Sequence, residues 1–326
     1  MFRLASLAFV IFTVSALRAD DAVSITRLKD AVEFKVGDEL VTRYHIGESV
    51  AKPYFWPVNA PGNIPVTRAW PLEKGSPKET TDHVHQKSIW FCHGDVLPEG
   101  LEIQQKIKGV RGVDFWSEAP GHGIIVCTEA VVSKEGPGSL KTRNEWRTAD
   151  GKKILDETRV IGLKVLPNGS RLLTLDIDMH ANDYPITFDD TKEGSMGVRV
   201  SDEIVTKNGG RFTNAEGKVD EKAIWGQPSP WCDYVGRIGG KTAGIALFDD
   251  PNNKPSAVWH ARGYGLMAAN PFGRDGSFPS QKGKTDLVRL AKGDHLKLRY
   301  GILIHAGDTK EAKVADAFAE FSKKVN

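Results

Sequence analysis

The sequence predicts an all-β protein, a large antiparallel β-sandwich with one C-terminal helix. Three observations carry this expectation. Apolar and polar residues alternate with period two in many segments, which buries one face of a strand and wets the other. Turn residues interrupt these segments at spacings of roughly 8–25 residues, the rhythm of a large sandwich or barrel. A convincing helical stripe of apolar residues occurs only near the C-terminus.

The elements follow in chain order. Residues 1–19 read as a secretory signal: Arg3, an apolar run from Leu4 to Ala16, then small residues at which cleavage follows Ala16 or Ala19. Arg18 cuts the run below the roughly 20 apolar residues that span a bilayer. The mature chain is therefore expected to be exported, periplasmic or secreted, as a single domain over residues 20–326 with no membrane span. Val32–Val36 and Leu40–Tyr44 flank the turn Gly37-Asp38 and form a first hairpin. Val160–Val165 and Leu173–His180 form a second around Pro167-Asn168-Gly169, where Asn-Gly suits the positive φ of a tight turn. Further strands are expected over 124–132, 196–204, 242–248, 256–260 and 296–305. At the C-terminus Asp308 and Glu311 have the spacing of a capping box, and Val314, Ala317, Phe318 and Phe321 form one apolar stripe that packs on the sheet.

Composition narrows the function classes. The chain has 326 residues, with 44 Lys+Arg against 42 Asp+Glu. Loss of the first 19 residues removes Arg3 and Arg18 and leaves the charges balanced, which argues against a nucleic-acid partner. The three cysteines, Cys92, Cys127 and Cys232, are too few for a disulfide framework. P-loop, serine-hydrolase elbow, metalloprotease-helix and Cys-x-x-Cys motifs are absent, so no nucleotide or organic cofactor is expected.

Polar chemistry concentrates in three blocks. In Asp82–Asp95 stand His83, His85 and His93, three of the nine histidines. On a strand, residues two apart share a face, so His83 and His85 point together, with His93 on the same face if the strand is unbroken. That is half of a metal site, and a divalent ion at His83, His85 and His93 is one reading; acid/base histidines without a metal are the other. Phe188–Arg199 leaves two readings open, a solvated loop with an ion pair, or a site in which Asp189 or Glu193 serves as general base or ligand and Lys192 or Arg199 steadies an anion. In Trp259–Leu266, His260, Arg262 and Tyr264 alternate and share a strand face suited to the floor of a wet cleft. Nine aromatic residues, Tyr54, Phe55, Trp56, Trp70, Trp90, Trp116, Trp225, Trp231 and Trp259, cluster around these blocks and are candidates for stacking on a sugar ring or for core filling. The remaining histidines, His45, His122, His180, His295 and His305, read as structural.

At these blocks the sequence resembles a bacterial family often labelled "methane oxygenase PmoA". The resemblance covers most of the mature chain. It rests on Lys52-Pro53-Tyr54, Val66-Thr67-Arg68, Asp82-His83-Val84-His85, Ser88-Ile89-Trp90-Phe91, His93-Gly94-Asp95-Val96, Asp114-Phe115-Trp116, Asp190-Thr191-Lys192-Glu193-Gly194, Trp259-His260, Tyr264-Gly265 and Ala269-Asn270-Pro271-Phe272-Gly273. The family's usual Asp-His-Pro-His-His is altered here at Val84 and Gln86, and its Val-Asn-Gly-x-Asp-Phe-Trp is replaced before Asp114 by Arg111-Gly112-Val113. The membrane subunit whose name the label borrows is built of transmembrane helices, so a β-rich mature chain without a span makes the label a misnomer. The resemblance implies a sugar-active secreted protein with a galactose-mutarotase-like supersandwich.

Two functions follow as expectations. The first is an exported carbohydrate-active enzyme, hydrolase, lyase or epimerase. His83, His85, His260, Asp189 and Glu193 carry the chemistry, while Lys192, Arg199, Arg262, Tyr264, Trp90 and Trp259 hold a small-molecule or glycan substrate. The second is a noncatalytic glycan-binding protein of the cell envelope that uses its tryptophans as platforms.

Overall fold

A computed structural model describes residues 22–75, 79–133 and 138–323. The expected signal segment lies outside them. Strands dominate and every pairing between them is antiparallel, in keeping with an all-β sandwich. The first sheet has nine strands. Its path runs β1 (Val23–Arg27), β2 (Ala31–Val36), β3 (Glu39–His45), β4 (Tyr54–Ala60), β6 (Ile89–His93), β13 (Gly194–Arg199), β18 (Leu266–Asn270), β17 (Val258–Arg262), with β5 (Ile64–Pro65) paired to β4. The second has eight, in the order β14 (Arg211–Asn214), β15 (Trp231–Ile238), β16 (Lys241–Asp249), β20 (His295–Ala306), β11 (Arg171–His180), β10 (Lys153–Val165), β9 (Ser139–Arg147), β8 (Ile124–Ser133). A small third sheet consists of β19 (Val288–Leu290), β12 (Ile186–Phe188) and β7 (Val96–Pro98), in that order.

Both hairpins form, with Val36 opposite Glu39 and Val165 opposite Arg171. Period two then sorts the side chains. On β11, Leu173, Leu175, Ile177 and Met179 point into the space between the large sheets, where Phe91 of β6 meets Trp146 and Tyr300 of the opposite sheet. One continuous apolar cluster runs through both sheets. The alternate residues of β16 and β20, among them Ala246, Phe248 and Leu303, face outward. There they are covered by helix α2 (Val314–Phe321) through Val314, Ala317 and Phe321. The capping box forms one turn ahead of α2: Asp308 Oδ1 accepts from the Glu311 amide and Glu311 returns a bond to the Asp308 amide.

Two expectations on strands give way. The strand foreseen over 196–204 ends at Arg199, and Asp202–Ile204 is a 3₁₀ turn. Residues 81–88 lie outside any strand, so the strand phase that was to align His83 with His85 does not exist. All three cysteines are unpaired. Among the described residues no helix is long and apolar enough to cross a membrane.

Candidate active site

The floor is a row of four residues across the nine-stranded sheet. Trp90 of β6 lies opposite Gly197 of β13, Gly197 opposite Ala268 of β18, and Ala268 opposite His260 of β17. All four face away from the inter-sheet core. The two small residues in the middle leave a hollow into which the Trp90 indole leans. A Cβ at Gly197 would stand 2.7 Å from the Trp90 Cζ2. Trp116, brought in by the 111–122 loop, packs edge-on against Trp90 at 5.0 Å and then lies over His260 at 6.1 Å. Trp225, just after the short helix α1 (Glu221–Ile224), meets the His260 ring at 5.1 Å and 88°. His260 is thus held between two indoles.

That setting fixes its chemistry. His260 is buried, bonded to the Lys192 backbone, and its Nδ1 has no protein partner. Burial, followed by the nearby charges of Arg262 and Lys192, pushes its pKa down to about 3. It is a neutral imidazole at neutral pH, and its free nitrogen suits a substrate hydroxyl.

The opposite wall is the turn 82–87, and two buried arginines hold it. Arg68 Nη1 and Arg199 Nη2 donate to the same Asp82 Oδ1, at 2.5 and 2.9 Å. Arg68 also donates to the His83 carbonyl at 3.1 Å. Burial would raise the Asp82 pKa, but Arg199, Arg68 and His83 together outweigh it and hold the carboxyl at about 2. Its other oxygen, Oδ2, stands 3.0 Å from His83 Nδ1. His83 adopts a left-handed φ of +45°, and its ring stacks on Tyr264 at 5.1 Å and 14°. His85 comes within 5.7 Å of the His83 ring. Burial, then Lys52 and His83, lowers the His85 pKa to about 3. Gln86 is a buried bridge. Its Oε1 accepts from Arg199 at 2.6 Å, and its Nε2 reaches the Tyr264 hydroxyl at 3.4 Å.

The rim carries the charges. Lys192 pairs with Glu193. The Arg262 guanidinium lies 3.8 Å over the Trp225 ring and donates through Nη1 to Glu221, whose second oxygen takes the Gly263 amide at 2.7 Å. Beneath His85, Lys52 is buried between Glu118 and the Trp116 carbonyl, and Lys87 reaches Glu118 from the other side. The cleft has a volume of about 220 Å³.

Three distant stretches therefore meet. His83, His85, Lys192, Glu193, His260, Arg262 and Tyr264 line this one cleft, joined by Gln86, Trp116 and Ser117. Arg199 stands directly beneath, shielded from the cleft by Tyr264 and Gln86. Four other expected members do not line it. Asp189 is drawn off to Arg111 and to the backbone amide of Asp190. His93 is buried between Phe188 and Phe272 and bonded to the Asp189 carbonyl at 2.8 Å. Trp259 sits one row over from His260, facing the inter-sheet core, with its indole N–H on the Ser229 carbonyl. Trp90 is covered by Trp116 and offers no face to a sugar.

The residues present do not fit a divalent metal. His83 Nδ1 and both oxygens of Asp82 are committed to one another and to arginines, and His93 is out of reach. Among the described residues no three His, Cys, Asp or Glu side chains stand together as a ligand set.

Of the residues that the sequence did not place in the site, Glu221 and Ser117 gave no signal, Gln86 entered only as a departure from the resembling motif, and Trp116 and Trp225 were two among nine clustered aromatics. A larger hollow, about 670 Å³, lies on the outer face of the eight-stranded sheet between Lys141, Asp176, Asp178, Lys297 and Arg299. Its charges include Arg299 paired with Asp176 and Asp250, and it holds none of the three blocks. No curated protein matches the chain. A family model described as a family of unknown function, DUF6807, matches residues 31–319, and the chain belongs to that family.

Proposed function

We propose that the protein is an exported carbohydrate-active enzyme in which imidazole groups move a proton on a bound sugar. The observation that carries this reading is the Asp82–His83 pair facing His260 across a walled cleft. A carboxylate only accepts hydrogen bonds, so the His83 nitrogen 3.0 Å from Asp82 carries the proton. Nε2 then bears the lone pair and acts as the base, while Asp82 steadies the imidazolium that forms. His260 Nδ1 and His85 stay neutral and orient hydroxyls. Tyr264, stacked under His83, keeps that ring in place.

The cleft favours some reactions over others. Hydrolysis of a glycoside ordinarily uses two carboxyl groups flanking the bond. Among the described residues Glu193 is the one carboxylate that lines the cleft. Lyase or epimerase chemistry, which needs a base and an orienting set, suits the residues better than hydrolysis does. A glycan binder would expose its tryptophans, whereas Trp90, Trp116 and Trp259 are buried and the partly exposed Trp225 has the Arg262 guanidinium over its ring.

A product screen over mono- and oligosaccharides, run with the wild type and His83→Gln, tests the reading. Turnover by the wild type, lowered about 10²–10⁴-fold in the variant with the melting temperature essentially unchanged, is the expected result. Full activity in His83→Gln sinks the assignment of the base.

A further inference from the structure

We infer that the sugar taken by this cleft carries an anionic group, a carboxylate or a sulfate ester, received between Arg262 and Lys192. The inference rests on the carbohydrate reading above and adds the charge of the substrate.

The charged side chains that line the cleft are Arg262, Lys192 and Glu193, and a second carboxylate, Glu221, stands against Arg262 with one oxygen on Nη1 and the other on the Gly263 amide, so each rim cation has one carboxylate neighbour. The deeper charges are already matched to one another: Arg68 and Arg199 share Asp82, and Lys52 and Lys87 share Glu118. Arg262 is the better placed of the two rim cations. Trp225 supports one face of its guanidinium, and Glu221 fixes Nη1 from the side of the Gly263 amide. A guanidinium held in this way has lost most of its rotamer freedom before a ligand arrives, which favours a planar, charge-assisted contact. Lys192 is a looser partner. Its ion pair is with its own chain neighbour Glu193, and its ammonium is nearly half exposed.

Among the described residues, two polar atoms of the cleft lining have no protein partner, His260 Nδ1 and the Trp116 indole nitrogen. His260, buried between the two cations and the two indoles, has Nδ1 without a protein partner. Buried polar groups are normally satisfied, so this acceptor is fitted to a hydroxyl of whatever lies beneath the rim. A hydroxylated ring with one anionic substituent meets both demands. The acceptor takes a ring hydroxyl and the cations take the charge.

The test is binding, read by ligand-observed NMR on the full-length mature protein, with matched probes. Galacturonate and galactose 6-sulfate are compared with galactose, and glucuronate and glucose 6-sulfate with glucose. At least one anionic probe should bind about 10-fold or more tightly than its neutral counterpart, and the two anionic arms show which group is preferred. That preference should vanish in Arg262→Gln. It should also shrink in the wild type as salt rises from about 20 mM to about 0.5 M, a measurement that needs no variant to fold. Neutral sugars binding as tightly as anionic ones would overturn the inference and leave the carbohydrate reading intact. No binding by any probe would overturn both.

Discussion

His83 and His93 stand ten residues apart in the same histidine-rich block, and the fold uses them in opposite ways. His83 sits in a turn with a left-handed backbone, half exposed, its ring supported by Tyr264 and oriented by Asp82. His93 ends strand β6, fully buried, with Phe188 and Phe272 against its ring and a backbone carbonyl as its partner. Each has one ring nitrogen held by a partner, His83 Nδ1 by Asp82 and His93 Nε2 by the Asp189 carbonyl, while His93 Nδ1 is buried without one. The difference is what a third molecule can reach. Strand phase sends His93 inward with Phe91, whereas two buried arginines pull Asp82, and His83 with it, out over the sheet.

The comparison is most directly broken by truncating the inward member. His93→Ala should destabilise the fold by about 2–4 kcal/mol, because it leaves a cavity and an unpaired Asp189 carbonyl in a site that cannot collapse. Urea unfolding measures this. His83→Ala in the same assay should cost well under half as much, since its ring is partly solvated. Equal losses would mean that the turn is as deeply structural as the core.

Much of the architecture was legible because it is written in short-range patterns. The two hairpins, the long strands β8, β16 and β20, and the capped C-terminal stripe depend on alternation and turn residues that lie side by side in the chain. The third block kept part of its expected geometry for the same reason: His260 and Arg262 share a face of β17, but the strand ends there and Tyr264 stands in the turn that follows, not on the strand face. What was not legible depends on partners far away. Nothing near His83 announces that Arg68 and Arg199 will meet at Asp82. Nor does local sequence reveal that Trp116 will cover Trp90, or that Arg111 will take Asp189. Gln86 was read as a histidine lost, and its bridging role appears only once Arg199 and Tyr264 are placed beside it.

The floor of the cleft offers a test between core and site in one residue. Gly197→Ala places a methyl carbon where Trp90 Cζ2 is 2.7 Å away and the Trp90 and Trp116 rings are already in contact. Overpacking of this kind costs about 1–3 kcal/mol, and here the strain has a direction. Trp90 packs against Trp116, and Trp116 against His260. Thermal unfolding should therefore show a moderate loss, accompanied by weaker binding of the anionic sugar probes. A loss of stability with binding unchanged would separate the floor from the cleft above it.

The smallest effect concerns protons. Burial holds the His93 pKa at about 4 and the His260 pKa at about 3, while an unfolded histidine titrates near ~6.5. The folded values are the lower ones, so below pH ~6.5 the unfolded chain takes up protons that the folded chain refuses. Stability is therefore full above that point and falls as the pH drops toward about 4, by up to ~1.4 kcal/mol per pH unit for each of the two groups. Urea titrations at several pH values across that window measure the slope. His93→Gln retains a side-chain donor for the Asp189 carbonyl but cannot be protonated, so the slope should flatten by one group's share while stability above pH 7 changes less than in His93→Ala. An unaltered slope would mean that His93 reaches water in the native state. Its burial would then no longer distinguish it from His83, and packing alone would not explain why one histidine of the block serves the cleft and the other the core.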